Sequence, residues 1–153
     1  MNIAFLTTLN PADINNWSGT TFHLFHALSR KHHVKVIGQN TLLQAAYFTK
    51  DNYIKKNPLE NYVSVFGKLC TEQLTNYDLV FFGDLYLAPF LDVNVPVVHL
   101  SDVTYHSFQS YLNPLKNEEQ IKKIEMMEKK LLNKYTAIIY SSEWARSEEH
   151  TSE

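Results

Sequence analysis

Apolar and polar positions alternate in blocks along this chain, and the blocks switch between two periods. Asn2 to Thr7 carries Ile3, Ala4, Phe5 and Leu6 without a polar break, the run expected of a strand whose two faces are both covered. Asn10 to Thr20 is then rich in Asn, Pro, Asp, Ser and Gly, after which Phe22, Phe25 and Leu28 recur at helical spacing toward Lys31. Arg30, Lys31, His32 and His33 close that helix with cations at its negative end, and Val34 to Gly38 resumes an apolar strand. The opening of the chain therefore predicts strand, loop, helix, strand.

Polarity rises from Thr41 to Asn57, where a helical piece over Leu42 to Phe48 is expected, with Tyr47, Phe48 and Tyr53 against the core. Asn57 and Pro58 suit a cap and first helical residue, and Val63, Phe66, Cys70 and Leu74 continue at spacings of three and four to about Thr75. Leu79 to Phe82 is a continuous apolar strand ended by Gly83 and Asp84. Val93 to Leu100 is another, with Pro96 near its start or on an edge. A helix follows from about Glu118 to Lys134, opened by Asn117 and Gln120. Its apolar stripe is Ile121, Ile124, Met127 and Leu131, and its outer face is solvated, with Glu–Lys pairs four apart. Ala137 to Tyr140 is the last strand. Strands separated by helices predict an α/β fold, a Rossmann-like, mostly parallel sheet with helices on both faces and right-handed crossovers. Ligands of such sheets bind beyond the carboxyl ends of the strands, so the loops after Thr7, Phe82, Leu100 and Tyr140 are where chemistry is expected.

Composition narrows the classes. The chain has 153 residues, 44% hydrophobic, enough for one ordinary core. Fourteen Lys and Arg against sixteen Asp and Glu leave a net charge of −2, which argues against binding through a nucleic-acid backbone. The single Cys70 excludes an intrachain disulfide and suits a reducing compartment. No apolar run approaches a membrane span, and the start lacks the basic and apolar regions of a signal peptide, so a cytoplasmic location is expected.

The candidate chemistry sits in three of those loops. Trp17-Ser18-Gly19-Thr20 precedes a helix start, where Gly19 permits close approach and free amides suit a phosphate, although one glycine before a helix is more often just a turn. His99-Leu100-Ser101-Asp102-Val103-Thr104 offers Asp102, His99 and Thr104 as contacts to hydroxyl groups or to a developing positive charge. A strand-end histidine bonded within the core and a Ser-Asp helix cap account for the same residues. Ser141-Ser142-Glu143-Trp144-Ala145 reads as an N-cap, Ser142, followed by Glu143 in the first turn. Asp84 is a turn former or a further site residue. No dinucleotide fingerprint, nucleophile elbow or metal-ligand cluster is present.

Four segments in order resemble the N-terminal half of a retaining glycosyltransferase of the GT-B fold, in the large family 4 group. They are Asn15-Asn16-Trp17-Ser18-Gly19-Thr20 with the first strand and helix, Tyr77 to Phe82, Pro96 to Tyr105, and Tyr140 to Ala145. The resemblance covers Met1 to Ala145. It implies an acceptor-side domain that faces a C-terminal donor-binding domain across a cleft. It also implies transfer of a sugar, of hexosyltransferase type, from a nucleotide sugar to a glycan, lipid or small-molecule acceptor, with no metal or other cofactor. It places Ser18, Gly19 and Thr20 near donor phosphates and His99 to Thr104 on the cleft floor, where Asp102 is favoured over His99 as the catalytic residue. Thr104 and Glu143 are further substrate contacts. A peripheral membrane contact is left to local lysine patches such as Lys55 and Lys56. A nucleotide-sugar epimerase of the same architecture and a stand-alone α/β ligand-binding domain are the alternative classes.

The last eight residues, Arg146-Ser147-Glu148-Glu149-His150-Thr151-Ser152-Glu153, are the in-frame translation of AGATCGGAAGAGCACACGTCTGAA, a common short-read sequencing adapter. The expectation is that native coding sequence ends at about Ala145 and that this domain is the first part of a longer protein whose second domain is missing. The tail holds one Arg and three Glu, so the remaining chain has no net charge.

Overall fold

The computed structural model describes residues 1–7, 9–38, 73–83, 91–104, 107, 118–143 and 146. The expected helices over Leu42–Phe48 and from Pro58 as far as residue 72, with Cys70, lie outside these residues, as do Asp84, Trp144, Ala145 and the tail beyond residue 146. Five strands, β1 (Asn2–Leu6), β2 (His33–Ile37), β3 (Leu79–Phe82), β4 (Val97–Ser101) and β5 (Ala137–Tyr140), form one sheet in the order β2-β1-β3-β4-β5. Every pairing is parallel, in the registers Ile3 with Val34, Phe5 with Phe81, Phe82 with His99 and His99 with Ile138. The chain is an α/β protein of Rossmann-like architecture.

The continuous apolar runs serve two cores because successive side chains leave a strand on opposite faces. Ile3, Phe5 and Phe81 turn to one face, under Leu24, Phe25 and Leu28 of helix α1 (Thr20–Ser29). Phe5 stacks on Phe81 at 5.8 Å and meets Phe25 edge-on at 5.7 Å, the two geometries aromatic quadrupoles prefer. Ala4, Leu6, Val80, Phe82 and Val97 turn to the other face, with Leu74, Leu91 and Val93, and with Met127 of helix α2 (Glu118–Leu132) against them.

Two boundaries differ from expectation for identifiable reasons. The fourth strand begins at Val97 rather than Val93, because Pro96 has no N–H for a ladder and contributes only its carbonyl, which accepts from Val80 N–H at 2.9 Å. Helix α2 ends at Leu132, where Lys134 and Tyr135 N–H bond back to Leu131 and Leu132 and tighten the last turn. On that helix Glu128, four residues after Ile124 and three before Leu131, is only 5% exposed. The N-terminal edge of the sheet is tied by Asp78, whose Oδ2 accepts from Asn2 N–H at 2.7 Å while its own N–H donates to the Asn2 carbonyl at 2.9 Å.

Candidate functional site

In the order β2-β1-β3-β4-β5 the chain leaves β1 toward β2 on one side, and the sheet continues through β3 on the other. The carboxyl ends of β1 and β3 therefore flank the switch crevice in which parallel sheets bind ligands. The loop after β1 is built residue by residue from short polar side chains. Thr7 Oγ1 accepts from Leu9 N–H at 3.0 Å, Asn10 Oδ1 from Ala12 N–H at 3.0 Å, and Asp13 Oδ1 from Asn15 N–H at 2.9 Å. Asn16 Nδ2 donates back to the Asn10 carbonyl at 3.0 Å. These turns satisfy the loop backbone without a sheet or helix partner.

The loop ends in a short turn, Asn16–Gly19, of the wrong hand. Trp17 (φ 45°, ψ 49°), Ser18 (φ 52°, ψ 33°) and Gly19 (φ 83°) are all left-handed. Gly19 takes that conformation freely, whereas Trp17 and Ser18 each give up roughly 1–2 kcal/mol to it. The Thr20 N–H donates to the Trp17 carbonyl, and Gly19 is the N-cap of α1 without a side-chain cap bond. Ser18 is exposed, Gly19 buried and Thr20 half-buried. All three residues expected near a phosphate thus lie at the start of α1, beside the crevice.

The turn throws the Trp17 ring over the end of β3. A Cβ on Gly83 would sit 2.7 Å from Trp17 Cζ3 and 3.2 Å from Cη2, so only glycine admits the indole there. The sequence marked Gly83 as a strand end and missed this second role. Its signal was a glycine directly at the carboxyl end of a buried strand. From the far side of the ring Nε1–H donates to Asp102 Oδ2 at 3.2 Å.

Strand parity explains why Asp102 is the partner. Val98 and Leu100 face the α1 side, and Asp102 continues that alternation past the end of β4. Ser101, buried, folds the chain back there: its Oγ accepts from Val103 N–H at 3.3 Å and donates to the Val103 carbonyl. Asp102 stays exposed at the apex.

His99 has the opposite parity to Val98 and Leu100, so it turns into the core while Asp102 stands exposed beyond the end of the strand. The His99 ring is 1% exposed, stacks on Phe82 at 4.2 Å and meets Tyr135 edge-on at 6.3 Å. Its Nδ1 lies 3.3 Å from the Phe82 carbonyl. A carbonyl only accepts, so Nδ1 carries the proton of the neutral ring. Burial lowers the imidazole pKa to about 4, against the raising effects of that bond and of the Asp102 charge. Next to it, burial pushes the Tyr135 phenol up, helped by Glu128 and Asp92, and its hydroxyl donates to the Leu91 carbonyl at 3.2 Å.

Thr104 and Glu143 both have local partners. Thr104 Oγ1 accepts from Ser107 N–H at 3.3 Å and donates to Ser107 Oγ at 3.2 Å, the geometry of a cap. Ser141 N–H continues the β5 ladder to the Ser101 carbonyl at 3.0 Å, and Arg146 N–H donates to the Ser142 carbonyl at 3.2 Å, which makes Ser142 the expected N-cap. Glu143 pairs with Arg146 at 2.6 Å, both exposed. Among the described residues no group of three or more His, Cys, Asp or Glu is placed to hold a metal ion, and no helix is long and apolar enough to cross a membrane. Comparison with protein-family models, with curated proteins and with solved structures gave no match.

Proposed function

We propose that this chain is the acceptor-side domain of a retaining glycosyltransferase that moves a sugar from a nucleotide sugar to an acceptor. The observation that carries the reading is the meeting of the first loop and the fourth strand at the switch crevice, through Trp17, Gly83 and Asp102. An exposed carboxylate beside an aromatic ring suits a sugar. The carboxylate accepts from hydroxyl groups and opposes the positive charge that develops on the ring carbon in the transition state, while the indole covers apolar C–H faces. Of the two floor candidates, Asp102 is the one a substrate reaches. His99, neutral and buried, supports the strand beneath it. The resemblance assigns donor phosphates to Ser18, Gly19 and Thr20 together with a second domain.

The test is to read the source locus past the Trp144 codon and express the frame it encodes. A second α/β domain, turnover of a nucleotide sugar with retained configuration, and loss of that turnover in Asp102→Ala are expected. A frame that keeps all eight codons from Arg146 to Glu153 and encodes no second domain defeats the reading.

A further inference from the structure

Trp17 combines three features that rarely coincide. Its backbone is left-handed without being glycine, its ring rests where a glycine has been left open, and its only polar atom is bonded to an exposed carboxylate 85 positions away. The left-handed turn is unfavourable on its own account. It persists because contacts at the far end of the side chain hold it, among them, within the described residues, one hydrogen bond to Asp102 and the fit over Gly83. A segment held in a costly conformation by contacts that can be exchanged is released when something else takes those contacts over.

We propose that the Trp17 indole is a displaceable latch over the switch crevice. Closed, it covers Gly83 and holds the Asp102 carboxylate. Open, the ring swings off, Trp17 and Ser18 return to ordinary backbone, and Asp102 is released to bond a hydroxylated ligand. A ligand with paired hydroxyl groups competes directly with the indole N–H for Oδ2. The latch regulates the site assigned above and rests on that reading only for the chemistry of the ligand. The closed geometry itself comes from the strand order and the parity of β4.

Neighbouring residues fit the same device. The Asx turns from Asn10 to Asn16 hold the near side of the loop by its own hydrogen bonds, up to the left-handed residues Trp17–Gly19. Gly19 ends the left-handed turn at φ 83°, where a Cβ would lie 3.3 Å from the Ile14 carbonyl and from His23.

Exposure of the indole is the readout, taken in the full chain carrying Trp144→Phe so that Trp17 is its only tryptophan. Asp102→Ala removes the hydrogen bond, and loss of one bond of ordinary strength moves the closed-to-open ratio about fivefold. Acrylamide quenching should rise and emission should move to the red. Gly83→Ala should do the same by displacing the ring. Ser18→Gly should do the reverse, because the closed turn no longer strains that residue. Quenching that is unchanged in both Asp102→Ala and Ser18→Gly overturns the latch, and these two variants decide the matter if Gly83→Ala does not fold. No ligand enters the measurement. Quenching that follows the variants supports the latch even where the completed frame transfers no sugar, and quenching that ignores them defeats it even where the frame does.

Discussion

The indole nitrogen of Trp17 donates to Asp102 Oδ2 at 3.2 Å, joining the loop after β1 to the loop after β4 across the end of β3. Trp17→Phe keeps a ring over Gly83 but removes the donor. It is expected to cost about 1 kcal/mol of stability, since the bond is to a charged acceptor but is exposed to water. Thermal unfolding measures it, and an unchanged midpoint would mean the bond contributes nothing in solution.

Ser18 should be better as glycine. Relief of a left-handed non-glycine residue is worth roughly 1–2 kcal/mol, and the added freedom of glycine in the unfolded chain takes back roughly 0.4–1 kcal/mol. Ser18→Gly is therefore expected to stabilise the chain by about 0.5 kcal/mol, and Ser18→Val to destabilise it, because a β-branched residue tolerates this region least. Urea titration of the three proteins should rank them Gly, Ser, Val.

Gly38 is the opposite case. Its φ of 123° excludes other residues, and a Cβ would meet the Thr7 carbonyl oxygen at 2.6 Å, a backbone atom already fixed at the end of β1. Gly38→Ala should cost at least about 2 kcal/mol. A variant as stable as the parent in urea would show that the β1 and β2 ends do not pack as described.

The buried imidazole makes stability depend on pH. His99 has its pKa lowered from 6.5 to about 4, so between these values the unfolded chain binds a proton that the folded chain refuses. Its contribution is complete above about pH 6.5 and is lost as pH falls toward 4, by about 3 kcal/mol in all. His99→Gln should flatten that part of a stability-against-pH curve. An equally steep curve in the variant would assign the dependence to other groups.

Much of the fold was legible before the structure. The apolar runs at Ile3–Leu6 and Leu79–Phe82 read as strands because only a sheet covered on both faces tolerates them, the run at Ala137–Tyr140 is an edge strand with Ile139 exposed, and the helix over 118–132 announced itself by its stripe. Boundaries moved where a single group outweighed the pattern, as Pro96 did by lacking an N–H. Glu128 and His99 were harder. A glutamate is ordinarily left exposed, so residue type argued against burial at 128 even though it shares the period of Ile124 and Leu131, and nothing in the residues around His99 says which face of β4 it takes.

The sequence by itself determined the layers of this protein. Hydrophobic periodicity follows from local geometry, and that is enough to specify five strands, the helices at Thr20–Ser29 and Glu118–Leu132, and the loops beyond the strand ends. Only the tertiary structure decided the site. Strand order put the ends of β1 and β3 side by side, and parity along β4 turned His99 into the core while Asp102 stands exposed beyond the end of the strand. Three left-handed residues then aimed Trp17 across Gly83 to meet Asp102. These relationships join positions 17, 83 and 102, whose separation along the chain exceeds any local period, so they arise only when the sheet is assembled.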